Sequence, residues 1–389
     1  MNHHKWKPPI LLFTSAILII LLTAGSSLQA ETAPSPNLHE KKLVAYYAAW
    51  AAYSGFTPDK IDAEKLTHVN YAFAKIGTDL RIEMGYPDKD PSNYKKLNEL
   101  KLKNPNLKTL ISIGGWTWSD KFSDAALTED SRKAFAKSCV EFIIKYGFDG
   151  IDLDWEYPVS GGLPQNIRRS SDKENFTLLL QKLRYELDKQ GTTDKKHYYL
   201  TIAAGAGNSF ASNIELLKIQ QYLDYAIIMT YDLHGPWDAY TDLLAPLYGT
   251  SDVSPQYKTS VDSGMNAWIK APFPLDKLVM GIPFYGYRYT SVKNGSNGLY
   301  GRFAGSRAVS YDLIEKNYLN NKAFKRYFHP QSKVPWLFDG STFVTYEDME
   351  SVGYKAKYIS QEGIGGAAVW ELSQDPNNVL LNKLFEGLK

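Results

Sequence analysis

Residues 148–158 read Phe148-Asp149-Gly150-Ile151-Asp152-Leu153-Asp154-Trp155-Glu156-Tyr157-Pro158. Acids stand at Asp149, Asp152, Asp154 and Glu156, interleaved with Ile151, Leu153 and Trp155. Alternate side chains of a strand point to opposite faces, so Asp152, Asp154 and Glu156 share one face and the apolar set takes the other. The apolar face argues for a buried strand rather than a solvated edge, and no histidine lies nearby to suggest a metal cage. Unpaired buried charges are costly, so the ladder must be hydrogen-bonded, partly protonated, or both. Proteins tolerate such crowding mainly where they need an acid with a shifted pKa.

Outward from this stretch, apolar strand-like runs recur, each followed by a segment of helical character. They are Leu43–Trp50, Thr67–Ile76, Leu107–Gly114, Phe148–Glu156, Tyr198–Ala206, Leu223–Tyr231, Leu278–Tyr285 and Gly363–Trp370. The runs are mostly continuous rather than alternating, as expected where both faces are covered. Eight β–α repeats in 389 residues predict an α/β fold, a (β/α)8 TIM barrel over 41–287 and 347–389. Between the third and fourth runs Phe135, Cys139, Phe142, Ile143 and Tyr146 repeat at helical spacing, which gives Cys139 a packing role. Residues 288–346 are too long for an ordinary βα loop. Their turns, a helical piece near Tyr311–Leu319, a strand-like end at Ser341–Tyr346 and the aromatics Tyr300, Phe303, Trp336 and Phe338 predict a small α+β insertion domain on the catalytic face.

Active sites of such barrels lie at the C-terminal ends of the strands. Trp116 follows the third run, Glu156 ends the fourth, Tyr231 and Asp232 close the sixth, and Trp370 ends the eighth. With 44 basic and 42 acidic residues the chain lacks the excess positive charge of a nucleic-acid binder. Its aromatic content of 14% fits flat rings along a sugar-binding groove, although large cores also consume aromatics. His68, His197, His234 and His329 show no metal-type spacing, so no metal or cofactor is expected.

At the N-terminus Lys5 and Lys7 precede an apolar run, Ile10 to Ala24, and then Leu28-Gln29-Ala30. This pattern reads as a secretory signal peptide over 1–30, cut after Ala30, with a linker over 31–40. Leu28 departs from the small residue preferred there, and an uncleaved anchor is the alternative. A secreted, extracellular chain whose single cysteine forbids an intrachain disulfide suggests a bacterial exporter. No stable membrane association is expected after cleavage, and a monomer is expected.

Glu156, at the rim, can present a proton to a leaving-group oxygen. Asp154 lies about 6–7 Å back along the same face, and like charges at that range raise the pKa of one member. Glycoside cleavage usually needs a second carboxylate across the sugar. Asp154 is poorly placed for that, and Asp232 is the only other acid obvious at a strand end. If neither attacks, the substrate must supply its own nucleophile. A 2-acetamido group does so, closing on the anomeric carbon as an oxazolinium ion, a known exception to the two-carboxylate scheme.

The run Asp149-x-x-Asp152-x-Asp154-x-Glu156 resembles the signature of glycoside hydrolase family 18 chitinases. The likeness extends through Ser112-Ile113-Gly114-Gly115-Trp116, Met229-Thr230-Tyr231-Asp232, Gly281-Ile282-Pro283-Phe284-Tyr285 and Trp370. The resemblance implies Glu156 as proton donor and later base, Asp154 orienting the acetamido group, Asp152 sharing its proton and Asp149 in a structural role. It implies Tyr231 and Asp232 as hydrogen-bond partners of the acetamido group and Trp370 as the floor beneath the sugar. Trp116 and Trp237 are candidates for the leaving-group side, and Tyr46 and Phe73 for the rim of the first two strands, each with a core-packing reading beside it. Met229 is expected against the acetamido methyl, and Gly114, Gly115, Thr117, Tyr157 and Tyr285 complete the implied substrate contacts. One departure stands out: after Gly286 many relatives carry Arg, whereas here Tyr287 precedes Arg288. The implied activity is a retaining, secreted chitinase acting on chitin and N-acetylglucosamine oligosaccharides. An endo-β-N-acetylglucosaminidase of N-glycans and a non-catalytic chitin-binding protein are the alternatives.

Overall fold

Apolar strands form the staves of a parallel barrel in a computed structural model that describes residues 41–252, 259–271, 273–293 and 295–389. The expected signal segment and linker lie outside the described residues. In chain order the first strands are β1 (Lys42–Ala48), β2 (His68–Ile76), β3 (Ile82–Met84), β4 (Lys108–Gly114) and β5 (Gly150–Asp154). There follow β6 (Tyr199–Gly205), β7 (Tyr225–Met229), β8 (Leu278–Pro283), β9 (Tyr285–Thr290), β10 (Gly305–Ser310), β11 (Lys325–His329), β12 (Val334–Phe338), β13 (Phe343–Thr345) and β14 (Gly366–Trp370). The ring runs β1-β14-β8-β7-β6-β5-β4-β2 and closes through β1–β2, with β3 hanging antiparallel on the end of β2. The predicted (β/α)8 barrel is therefore present.

The helices are α1 (Asp90–Glu99), α2 (Phe122–Leu127), α3 (Glu129–Tyr146), α4 (Asp172–Asp194), α5 (Asn208–Ser212), α6 (Leu216–Ile219), α7 (Val261–Ile269), α8 (Tyr311–Ile314), α9 (Met349–Gln361) and α10 (Val379–Leu388). Local chemistry fixes their ends. Thr128 and Ser131 form a reciprocal capping box at the start of α3, and Gly147, left-handed at φ 74°, closes it. Phe135, Cys139 and Ile143 of α3 are fully buried in the helix–sheet core, which leaves Cys139 no route to solvent.

Several strands stop short of the apolar runs that announced them. β5 ends at Asp154, and beyond it the Glu156 amide donates to Ser119 Oγ at 2.9 Å rather than to a neighbouring strand. The seventh run was expected to reach Tyr285, but β8 ends at Pro283, which has no N–H to offer a ladder. After one residue Tyr285 opens β9, the first strand of a second, antiparallel sheet ordered β10-β9-β13-β12-β11. That sheet has its own core of Tyr289, Trp336, Phe338 and Phe343, which Leu243 from the loop after β7 completes.

Candidate active site

β5 carries the acid ladder into the barrel. Ile151 and Leu153 pack outward into the helix-covered core, while Asp152 and Asp154 point into the interior, 0% and 4% exposed. Asp152 accepts three hydroxyl hydrogen bonds, from Ser112 and Thr201 at 2.7 Å each and from Tyr46 at 2.9 Å. Burial pushes its proton affinity up, and these donors oppose but do not cancel the push. Asp154 lacks such help: among the described residues its Oδ1 has no hydrogen-bond partner. Burial first, then the charges of Glu156 and Asp152, raise it well above the carboxylate range.

Glu156 follows two residues later, 9% exposed. Burial, with the charge of Asp232 adding to it, raises its pKa to about 7 against a hydrogen bond from Tyr157 that works the other way. The backbone around it is braced. Ser119 Oγ donates toward the carbonyls of Gly115 and Asp154, and Asn166 Nδ2 donates to the Glu156 carbonyl at 2.9 Å. Gly115, at φ 75°, lies so close to Phe73 that a Cβ would stand 2.7 Å from its ring. The Ala72–Phe73, Glu156–Tyr157 and Trp370–Glu371 peptides are cis.

A cavity of about 540 Å³ opens over Asp154 and Glu156. Of the residues expected to touch substrate, Phe73, Trp116, Thr117, Tyr157, Met229, Tyr285 and Trp370 line it, as do Tyr231 and Asp232. Trp370 is stacked on Phe73, ring centroids 5.7 Å apart, and leans on Trp50 and Tyr46. Asp232 adopts φ 53° and accepts from Tyr285 Oη at 2.6 Å.

Other expected residues sit elsewhere. Tyr46, read as a rim platform, is 2% exposed inside the barrel, because it lies mid-strand and its hydroxyl is committed to Asp152. Gly114 and Gly115 contribute space and backbone rather than cavity surface, and Gly115 N donates to Asp154 O at 2.8 Å. Trp237 is 62% exposed outside this cavity, edge-on to Tyr287 at 6.1 Å. Asp149 lies at the far end of the strand, bound to Lys101 at 2.6 Å and Lys196 at 3.4 Å.

The sequence reading overlooked Trp50, Tyr86, Trp118, Phe210 and Asn213, which also line the cavity. Trp50 alone had a signal, as the last residue of the first apolar run. Ser112 was read only as part of a motif and Thr201 not at all, since only the register Ser112↔Asp152↔Thr201 reveals them as partners of Asp152.

Comparison with known proteins places this arrangement. Chitinase A1 of Niallia circulans is 41% identical across 95% of this chain, which spans 61% of that protein's length. Chitinase B of Serratia marcescens is 32% identical over 84% of this chain and 76% of its own. Among solved structures, chitinase ChiA74 from Bacillus thuringiensis superposes with a TM-score of 0.84 at 36% identity, covering 90% of this chain and 70% of that one. A family 18 N-acetylglucosaminidase from Paenibacillus barengoltzii does so at 0.81 and 36%, covering 89% and 99%. With residues 42–375 matching the family model as well, the chain belongs to glycosyl hydrolases family 18.

Proposed function

We propose that the protein is a chitinase that cleaves β-1,4 linkages between N-acetylglucosamine units with retention of configuration, the substrate's own acetamido group acting as nucleophile. The observation that carries this reading is the placement of the acids. Asp154 and Glu156 both line the cavity, and burial raises the proton affinity of each. Both project from one strand end, so neither can attack from across the ring, and the remaining acid, Asp232, is tied by Tyr285.

In this scheme Glu156 gives its proton to the glycosidic oxygen as the bond to the anomeric carbon breaks. The acetamido carbonyl oxygen bonds to that carbon, and the amide N–H of the resulting oxazolinium ion is received by Asp154, which has passed its own proton to Asp152. Tyr231 donates to the acetamido oxygen, Met229 packs on its methyl, and Trp370 underlies the sugar. Glu156, now a carboxylate, takes a proton from water as the water's oxygen attacks the anomeric carbon and reopens the ring. Two displacements on the same carbon retain configuration. Export through residues 1–30 brings the enzyme to extracellular chitin.

Glu156→Gln should lower hydrolysis of a chitin hexamer by at least the ~10²–10⁴-fold typical of general acid–base catalysis, while calorimetric binding of the hexamer survives. NMR should detect the β-anomer first. Unchanged turnover, first release of the α-anomer, or equal activity on fully deacetylated polymer would each reject the mechanism. Release of single sugars from chain ends would align the protein with the N-acetylglucosaminidase relative instead of the chitinases.

A further inference from the structure

Asp232 is held by two phenols. Side chains alternate along β9, so Tyr285, Tyr287 and Tyr289 share one face and Arg288 takes the other. Tyr285 and Tyr287 both donate to Asp232 Oδ1, at 2.6 and 3.1 Å. Tyr287 is fixed edge-on between Tyr285, at 5.9 Å, and Trp237, at 6.1 Å. Among the described residues, the titratable groups facing Asp232 are these two phenols from β9, Tyr231 just beyond β7, and Glu156 and Tyr157 beyond β5, with Tyr289 farther along β9. None of these groups is a cation. Arg288, on the opposite face of β9, has a buried Nε without a hydrogen-bond partner among the described residues.

We propose that Tyr287 is a positioning residue for the reaction, a neutral donor that fixes Asp232 at the cavity wall while leaving its negative charge free to act on Glu156. The inference rests on the reading of Glu156 as general acid. A guanidinium in place of the phenol could bind the same oxygen, but it would cancel the charge. Glu156 would then release its proton more readily, because Asp232 is one of the groups that hold the proton on it. The neutral donor therefore orients Asp232 without weakening the acid beside it.

Tyr287 also lines a recess of about 360 Å³ shared with Trp370 and Gln374, so substitution can alter substrate affinity as well. The pH dependence of kcat at saturating chitin hexamer separates the two effects. It should be measured for the wild type, Tyr287→Phe, Tyr287→Arg and Asp232→Asn, with thermal melts to establish folding. The wild-type alkaline limb should fall through about pH 7, where Glu156 deprotonates. Tyr287→Arg and Asp232→Asn should each move that limb down by about half to one pH unit. Tyr287→Phe adds no charge and leaves Tyr285 in place, so its limb should stay within about 0.3 unit while KM rises.

An unmoved limb in folded Tyr287→Arg overturns the proposal. If that variant does not fold, Asp232→Asn and Tyr287→Phe decide. An unmoved limb in the first, or a limb in the second displaced as far as in Asp232→Asn, overturns the proposal equally. Full turnover by Glu156→Gln is a separate result, which removes the function beneath the inference and which the Tyr287 series cannot produce.

Discussion

Replacing Glu156 by glutamine should stabilise the fold, by an amount that grows with pH. Glutamine keeps the shape of the side chain and never ionises. Glu156 must ionise in a site where burial and then the charge of Asp232 raise its pKa from 4.5 to about 7. The folded state therefore binds more protons than the unfolded one across that window, and stability is lost as pH rises through it. At about 1.36 kcal/mol per pKa unit, the loss reaches roughly 3–4 kcal/mol at most once pH exceeds the folded pKa. Asp154 works in the same direction, since the charge of Glu156 is one of the causes that raise it. Near pH 4 both proteins carry a neutral side chain and should melt alike. Near pH 8 the variant should melt higher, by roughly 4–6 °C at most for a chain of this size. Differential scanning calorimetry at about pH 4, 6 and 8 reads the effect without reference to activity. A melting difference that stays constant over that range would refute the claim that the fold holds a proton on Glu156.

Two further substitutions probe the supports of the site. Gly115→Ala should cost about 1–2 kcal/mol for a side chain in left-handed backbone, and a further ~1–3 kcal/mol for overlap with Phe73. Phe73 is stacked on Trp370, so the displacement should reach the cavity floor and raise KM for chitin oligomers; an unchanged melting point and KM would contradict the contact. Asp149→Asn tests the opposite end of the strand. Burial alone would raise Asp149, yet Lys101, the Thr109 amide and Lys196 outweigh it and leave its pKa lowered, while Lys101 itself is lowered by its own burial. The ion pair thus contributes stability above the unfolded pKa of Asp149 and loses it as pH falls through the folded one. The variant should lose about 1–3 kcal/mol in urea denaturation near neutral pH, with kcat intact. A tenfold fall in kcat would show that Asp149 acts on the chemistry.

The barrel was legible because its strands are covered on both faces, which writes them as continuous apolar runs. Their ends were less so. Local periodicity cannot show that Ser119 captures the Glu156 amide, or that Pro283 ends one sheet two residues before Tyr285 begins another. The strands of the insertion were harder still: β10 exposes Ser306, Arg307 and Ala308 in succession, and β12 carries Pro335, so neither shows the alternation of a half-buried strand. The hydroxyls around Asp152 come from β1, β4 and β6, and Tyr287 reaches Asp232 across 55 residues of chain. Such partners exist only through register and closure of the ring.

Asp149 and Asp154 bring this to one comparison. They are the same amino acid, five positions apart, at opposite ends of one strand. Lysines flank the first and lower its pKa, whereas burial beside two other acids raises that of the second. Nothing in the local composition separates them. The rule that catalysis belongs to the C-terminal ends of barrel strands does, because it converts position along β5 into depth within the barrel. Residue type therefore marks which side chains could carry a proton, and strand direction marks which of them keep it where a sugar can reach.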